Sequence, residues 1–309
     1  MASEKKTRDQ SRLRNRWIEL KKNGLFFNLL GLIPLLWGIA LTFLIIWGIN
    51  VSLANEDWYL RHMNSFFTDW KFLDFSNYVK AMEQFTFESY QNGVYMETNY
   101  FQLIFNSIWF SVGTTVMKML STIFFAYAVA RFEFPGRRLL YGFVVLQMMI
   151  PIYGQTAANY ELLYNLGLVN TPGFLLAQGA GHGMYFLITY SFFRNLPSGY
   201  EEAARIDGAG PFRIFWQVML PQAKPITLSL GIMQFISAWN SYDVPLLYLP
   251  SFPTLSSALY MYKDNMFQLG LTTPTYFAGM FISVLPVAVL FIIFNKQIME
   301  NVSIGGLKG

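Results

Sequence analysis

Few side chains in this sequence could carry chemistry, and most of those few lie inside apolar runs. There is no cysteine, and the two histidines, His62 and His182, are far apart. Disulfides, thiolate nucleophiles and cysteine-bearing zinc sites are therefore excluded. No group of carboxylates, histidines or a nucleophile dyad gathers within an apolar run, as a membrane enzyme would need. What remains is Lys118 in one run and Gln234, Trp239, Asn240, Tyr242 and Asp243 in another. Aromatic faces beside hydrogen-bonding groups are the means by which sugars are bound, and polar groups in hydrocarbon are costly enough to mark a function. Two roles fit the second group: contact with a polar solute, or hydrogen-bonding across helices. Lys118 and Asp243 are not expected to pair, because at 1.5 Å per residue they lie about 25 Å and about 9 Å below the outer ends of their runs. Lys118 is assigned a cavity or interhelix role. Gly179, Gly181 and Gly183 fall in an apolar run and are read as close helix packing rather than a phosphate loop. His182 beside them is read as structural.

The elements that must hold these residues are membrane-spanning. Hydrophobic residues make up 54% of the 309 positions and charged ones 13%, against about 25% charged in a soluble domain. A spanning helix needs about 20 mainly apolar residues, and six runs qualify: Leu25–Val51, Phe101–Ala130, Leu139–Thr156, Phe174–Phe193, Ile226–Leu249 and Thr275–Phe294. The first is too long for a signal-peptide core, which is about 7–15 residues. Six crossings place both termini on one side. Seventeen basic residues fall on that side, and only Arg61, Lys71, Lys80 and Lys263 on the other, with Lys118 inside a span. The excess assigns both termini to the cytoplasm, with the basic arm 1–24 against anionic lipid. The expected fold is thus an all-α polytopic membrane protein: a six-span body at 25–295, an acidic and aromatic external loop at 55–100 folded as a cap, and a cytoplasmic tail at 296–309. Pro34, Pro151 and Pro286 are expected to bend their helices.

The most informative segment is the cytoplasmic stretch 196–225, LPSGYEEAARIDGAGPFRIFWQVMLPQAKP. Ser198 with Glu201 three residues later reads as a capping box that starts a helix at Gly199. Gly208 and Gly210 can take the positive φ that ends it, and Pro211 suits the first position of a second helix. Phe212, Phe215, Trp216 and Met219 recur at helical spacing as one apolar stripe. Pro221 and Pro225 should stop that helix before span five. Taken alone, this is a helix-turn-helix on the membrane surface.

The same residues resemble the EAA loop of ABC import permeases: Glu202-Ala203-Ala204, Gly208 four residues on, then Val218, Leu220 and Pro221, with Val218 where the pattern has Ile. The longer run Glu201–Ala209 is similar to the sugar-importer branch. Asn106-Ser107, Ala126-Tyr127-Ala128, Arg131, Gly136-Arg137, Pro151, Gly167-Leu168, Asn170-Thr171, Trp239-Asn240 and Leu285-Pro286 extend the likeness over most of the chain. The Gly305–Gly309 tail resembles that of the smaller permease subunit of maltose importers. The resemblance implies a type I importer permease whose loop is a coupling helix seated in a cytoplasmic ATPase. It implies Glu201, Glu202, Ala203, Ala204, Asp207, Gly208, Phe212 and Pro221 as the coupling residues. Expected partners are a second, homologous permease, two copies of an ABC ATPase, an external sugar-binding protein and membrane lipid, with no nucleic acid. In some relatives the outer loop between the last two spans, here Pro250–Pro274 with Tyr260, Tyr262 and Phe267, enters the binding protein. No GxxxxGKS/T loop occurs, so ATP and Mg belong to the ATPase and no cofactor is expected on this chain. The chain is expected to be a transport subunit in a bacterial inner membrane, not an enzyme. The alternative is import of a non-sugar solute such as a peptide, polyamine or phosphate.

Overall fold

Three of the six apolar runs fold as unbroken helices: α1 (Gly24–Ser52), α4 (Tyr100–Arg131) and α14 (Thr273–Val302). Each holds a stretch long and apolar enough to cross a membrane, at Leu30–Ser52, Tyr100–Arg131 and Thr273–Phe294. The computed structural model describes residues 24–84, 86–91, 94–150, 154–180, 183–265 and 272–302. The basic arm through Asn23, Pro151, Gly181, His182, Phe267 and the Gly305–Gly309 tail lie outside the described residues. Pro34 and Pro286 stay within continuous helices.

The other three runs are divided. In the third, α5 (Arg137–Met149) stops where Ile150 turns extended (φ −94°, ψ 108°), the conformation forced on a residue that precedes proline. Gly154, at φ 79°, then leads into α6 (Gln155–Asn165). In the fourth, α7 (Phe174–Ala177) and α8 (Gly183–Asn195) are separated by a turn that includes Gly179. A Cβ on Gly179 would lie 3.3 Å from the Leu176 carbonyl and 3.6 Å from that of Met117, so the turn lies close on α4. In the fifth, α11 (Leu220–Asn240) gives way at Ser241–Tyr242 to α12 (Asp243–Tyr248).

The chain forms two compact units. In the larger, Tyr78–Thr272 with residues from Gly279 onward, α4 is the central helix. A capping box starts it, with Asn99 and Gln102 each accepting from the other's backbone N–H at 3.0 and 3.1 Å. Its buried residues recur every three or four positions, from Leu103 through Ser107, Phe110 and Thr114 to Ala126 and Ala130, the stripe of a helix covered by neighbours. α8 and α11 pack along it, α7 and α13 (Leu255–Asn265) toward its start. Phe186, Phe193, Phe215 and Met219 close the core at the Arg131 end, and Phe110, Phe174, Tyr248 and Leu249 form a second cluster.

The stretch 55–100 is folded, but not wholly from helices. α2 (Glu56–Arg61) and α3 (Ser76–Gln84) are followed by a β-hairpin, β1 (Phe87–Gln91) pairing antiparallel with β2 (Val94–Thr98), Phe87 opposite Thr98 and Gln91 opposite Val94. Among the described residues the fold is all-α apart from this hairpin, whose aromatic and β-branched residues favour a pleated ribbon but were read only as an aromatic lid. Tyr262 of α13 pins the base of the hairpin, accepting from Thr86 N at 2.6 Å and donating to the carbonyls of Thr86 and Gln84.

Polar residues quoted for the family likeness turn out to be fasteners. Ser107 Oγ accepts from Leu255 N at 2.7 Å, and Asn106 Nδ2 donates to the Pro253 carbonyl at 3.0 Å, so α4 holds the start of α13. Asn170, at φ 58°, exchanges two side-chain bonds with Ser251 (2.8 and 2.9 Å) and donates its own N–H to Tyr248 O at 2.7 Å. Asn170→Ala removes the side-chain bonds and keeps a Cβ on a left-handed residue without the local bonding that lets asparagine tolerate that backbone, with an expected loss of about 2–3 kcal/mol. Asn170→Gly removes only the bonds. Thermal unfolding of the purified assembly should therefore rank wild type, then Gly, then Ala.

Candidate functional site

α9 (Gly199–Ile206) follows α8 after a short turn, and it begins without the expected capping box. Ser198 is itself helical (φ −63°, ψ −25°) and its side chain makes no cap. Glu201 turns instead toward α4, where its Oε1 lies 3.4 Å from Arg131 Nε, with both side chains almost covered (12 and 13% exposed). A second arm of Arg131 donates from Nη2 to the Leu196 carbonyl at 2.6 Å. The last residue of α4 thus grips the end of α8 and the first turn of α9 together. Arg131 was noted in the sequence only for family likeness; the signal that could have found it is a lone basic residue ending an apolar run.

The turn after α9 is a Schellman motif. Gly208 N donates to Arg205 O (3.0 Å), Ala209 N to Ala204 O (2.9 Å), and Gly208 supplies the required positive φ of 78°. Gly210 is not a second such residue; it sits at φ −72° and caps α10 (Pro211–Ile214), with Pro211 opening that helix as expected. Pro221 and Pro225 do not stop the helix. α10 runs through a π-helical turn, Phe215–Met219, directly into α11. The wider turn shifts the hydrogen-bonding register, and Pro221 then falls in the first turn of α11, where a missing N–H costs little. The apolar stripe divides accordingly: Phe215 and Met219 are buried, whereas Phe212 is 73% exposed.

The eight residues of this hairpin therefore face two ways. Glu201 and Ala204 look toward the core. Glu202, Ala203, Asp207, Gly208, Phe212 and Pro221 are exposed. Ile206, 87% exposed, joins them; the motif does not name it.

The polar group of span five is likewise split. Trp239 is buried and donates from Nε1 to the Ser283 carbonyl at 3.1 Å, the helix contact that was one of the two roles open to it. Gln234 is half-buried. Asn240, Tyr242 and Asp243 are exposed at the α11–α12 break, where Ser241 Oγ donates to Asp243 Oδ1 at 3.0 Å. Tyr242 stacks on Tyr260 of α13, centroids 4.3 Å apart and planes 10° from parallel. Lys118 stands apart from this group: its Nζ donates to the Ala180 carbonyl at 3.1 Å, in the turn that interrupts span four. No group of metal-ligating side chains occurs among the described residues.

A membrane-embedded helical body carrying an exposed surface hairpin between its fourth and fifth apolar runs defines an importer permease. The chain belongs to the family of binding-protein-dependent transport system inner membrane components, whose model matches residues 122–302. It is similar to the diacetylchitobiose uptake system permease protein NgcG of Streptomyces coelicolor, 33% identical over 273 residues covering 86% of this chain and 87% of that one. It is also similar to the trehalose transport system permease protein SugB of Mycobacterium tuberculosis, 31% identical over 227 residues covering 72% and 82% of the two chains. A crystal structure of a bacterial ABC transporter involved in the import of the acidic polysaccharide alginate shares the fold, with a TM-score of 0.70 at 20% identity over 88% of this chain and 96% of that chain. The protein is a multi-pass inner-membrane transport subunit of an ABC importer, not an enzyme; ATP is hydrolysed by a separate subunit.

Glu201→Ala leaves the Arg131 guanidinium nearly covered beside an empty site, and the expected loss is about 1–3 kcal/mol. Arg131→Ala should cost at least as much, since it also frees the Leu196 carbonyl. In a double-mutant cycle read by thermal unfolding of the assembly, the double variant should lose less than the sum of the singles. Strict additivity would mean that the two charges do not interact.

Proposed function

We propose that this chain is one of two permease subunits of a carbohydrate importer, with six crossings and both termini in the cytoplasm. An oligosaccharide is handed over by an external binding protein, and two copies of a cytoplasmic ATPase drive the cycle through the hairpin 196–225. The relatives support the solute class, since their names include diacetylchitobiose, arabinooligosaccharides, trehalose and galactooligosaccharides. Three unbroken helices and three divided ones, counted as crossings, agree with the charge asymmetry. The basic arm 1–24, the body 25–295 and the tail 296–309 keep the roles assigned from sequence. ATP and Mg are held by the ATPase and this chain binds no cofactor.

The observation that carries the coupling role is the two-sided hairpin. Its outward side offers Glu202, Ala203, Ile206, Asp207, Gly208 and Phe212 to a partner, and its inward side is fixed to the ends of α4 and α8. Large apolar groups such as Ile206 and Phe212, exposed within a charged rim, are the makings of a protein contact. At the other end of the same helical rod, Asn240, Tyr242 and Asp243, with Tyr260 stacked behind, provide an aromatic face and hydrogen-bonding groups for sugar hydroxyls.

The test is reconstitution in proteoliposomes with the second permease, the ATPase and the binding protein. Gly208→Asp should assemble yet lose most sugar-stimulated ATP hydrolysis and uptake. Full coupling in that variant would overturn the assignment of the hairpin. Asn240→Leu with Asp243→Leu should leave assembly and basal hydrolysis intact and slow uptake of oligosaccharide at least several-fold. Unchanged uptake kinetics would remove these residues from the path.

A further inference from the structure

Between α1 and α3 the chain leaves the end of a span, forms a closed loop, and folds back along the helix it came from. The loop is sealed at its base. Asn55 N donates to Phe72 O at 2.8 Å, Asp74 N to Leu53 O at 2.6 Å, and Ala54 bridges Leu73. Beneath this base Asn77 is 1% exposed, and its Nδ2 donates to the carbonyls of Ser52 and Ala54 at 3.0 and 2.9 Å. The residues thus closed off, 55–72, form a compact surface loop with its ends together.

The far end of this loop does not reach outward. Phe66 and Phe67 both meet Phe43 of α1 edge-on, with centroids 6.4 and 6.2 Å away. Phe43 lies nine residues before Ser52, where α1 ends, which at 1.5 Å per residue is about 13 Å back along the helix axis. The apolar stretch Leu30–Ser52 has 23 residues, about 34 Å of helix against a hydrocarbon layer of about 30 Å. Phe43 is then well inside that layer, and the two rings that touch it are carried below the polar boundary. Two of the segment's backbone N–H groups are met within the chain: Thr68 N donates to Asn50 Oδ1 of α1 at 2.7 Å, and Ser65 N to His62 O at 2.8 Å. Such internal partners are what hydrocarbon demands of a non-helical segment.

The outward surface of the loop fits the same environment. Met63, Phe66, Phe67, Trp70 and Phe75 are 62, 71, 50, 75 and 69% exposed, more apolar surface than water tolerates without a covering. Lys71 sits 5.7 Å from the centre of the Trp70 ring, the aromatic-and-basic pairing found where a bilayer meets water. The surface is continuous with that of α1, whose spanning window is only 6% buried within the chain.

We propose that the 61–70 segment is a re-entrant anchor: it inserts its apolar side chains into the bilayer, where lipid acyl chains cover Met63, Phe66 and Phe67. It fixes the depth of the first span. Which leaflet it enters rests on the orientation proposed above, and insertion itself does not.

The chain has no cysteine, so single sites can be spin-labelled in the assembled importer in proteoliposomes. Phe66→Cys and Met63→Cys are the probes, Ile39→Cys in α1 the lipid reference and Glu56→Cys the water reference. Two probe sites guard against one variant failing to assemble. Labels at 66 and 63 should be relaxed strongly by oxygen and weakly by a water-soluble nickel chelate, as at 39. Nickel accessibility like that at 56 would mean that the loop stands in water. Low accessibility to both reagents would mean that another subunit covers it. Either result overturns the proposal. A further measurement with nickel confined to the outside of right-side-out vesicles reports the leaflet: insertion with the opposite sidedness would overturn the orientation and leave the anchor standing.

Discussion

Hydrocarbon offers no hydrogen bond, so a helix that breaks inside a membrane must have its open backbone groups met by the chain itself. Much of the structure follows from this one requirement. The fourth apolar run is interrupted, and Lys118 of α4 reaches the freed Ala180 carbonyl. Trp239 sends its indole N–H to the backbone of α14 at Ser283, and its own carbonyl accepts from Ser256 beyond the break in span five. Asn170 joins the connection after span three to the one after span five through three bonds. A charged, amide or indole side chain can thus serve as a carpenter's joint, as Lys118, Asn170 and Trp239 do here.

The hairpin illustrates how a short surface element can be made stiff. Its turn is locked by two backbone bonds around a left-handed glycine, and its first helix is tied by a charge pair to a different helix of the body. Its second helix is the start of a span. The residues that face outward have almost no freedom of their own, so what moves them moves the helices behind them.

Much of this was legible in the sequence, and the failures share causes. The unbroken helices, the hairpin helices, Pro211 at a helix start and the glycine turn at Gly208 are local features, set by neighbours within a few residues. The capping box at Ser198 failed because Glu201 had a better partner, Arg131, seventy positions earlier; tertiary electrostatics outweighed a local motif. Pro221 failed as a stop because a π-turn, which has no sequence signature of its own, re-phased the helix. Trp239 was left between a solute path and a helix contact, because which way a residue faces depends on the neighbours of α11, and those come from Ser283 and Ser256. The β-hairpin was missed because its strands are five residues each, too short to show alternation against an aromatic-rich background.

The π-turn at Phe215–Met219 has a mechanical meaning of its own. Because it bridges α10 and α11 without a loop, Pro211 and Asn240 are the two ends of one rod, about 45 Å long at 1.5 Å per residue. A rod has leverage that a loop lacks. With the wide turn as fulcrum near the packed core residues Phe215 and Met219, a small tilt at the surface end becomes a larger sweep at the end that carries Asn240. The gearing of the machine is then written in the distance between those two points and the fulcrum.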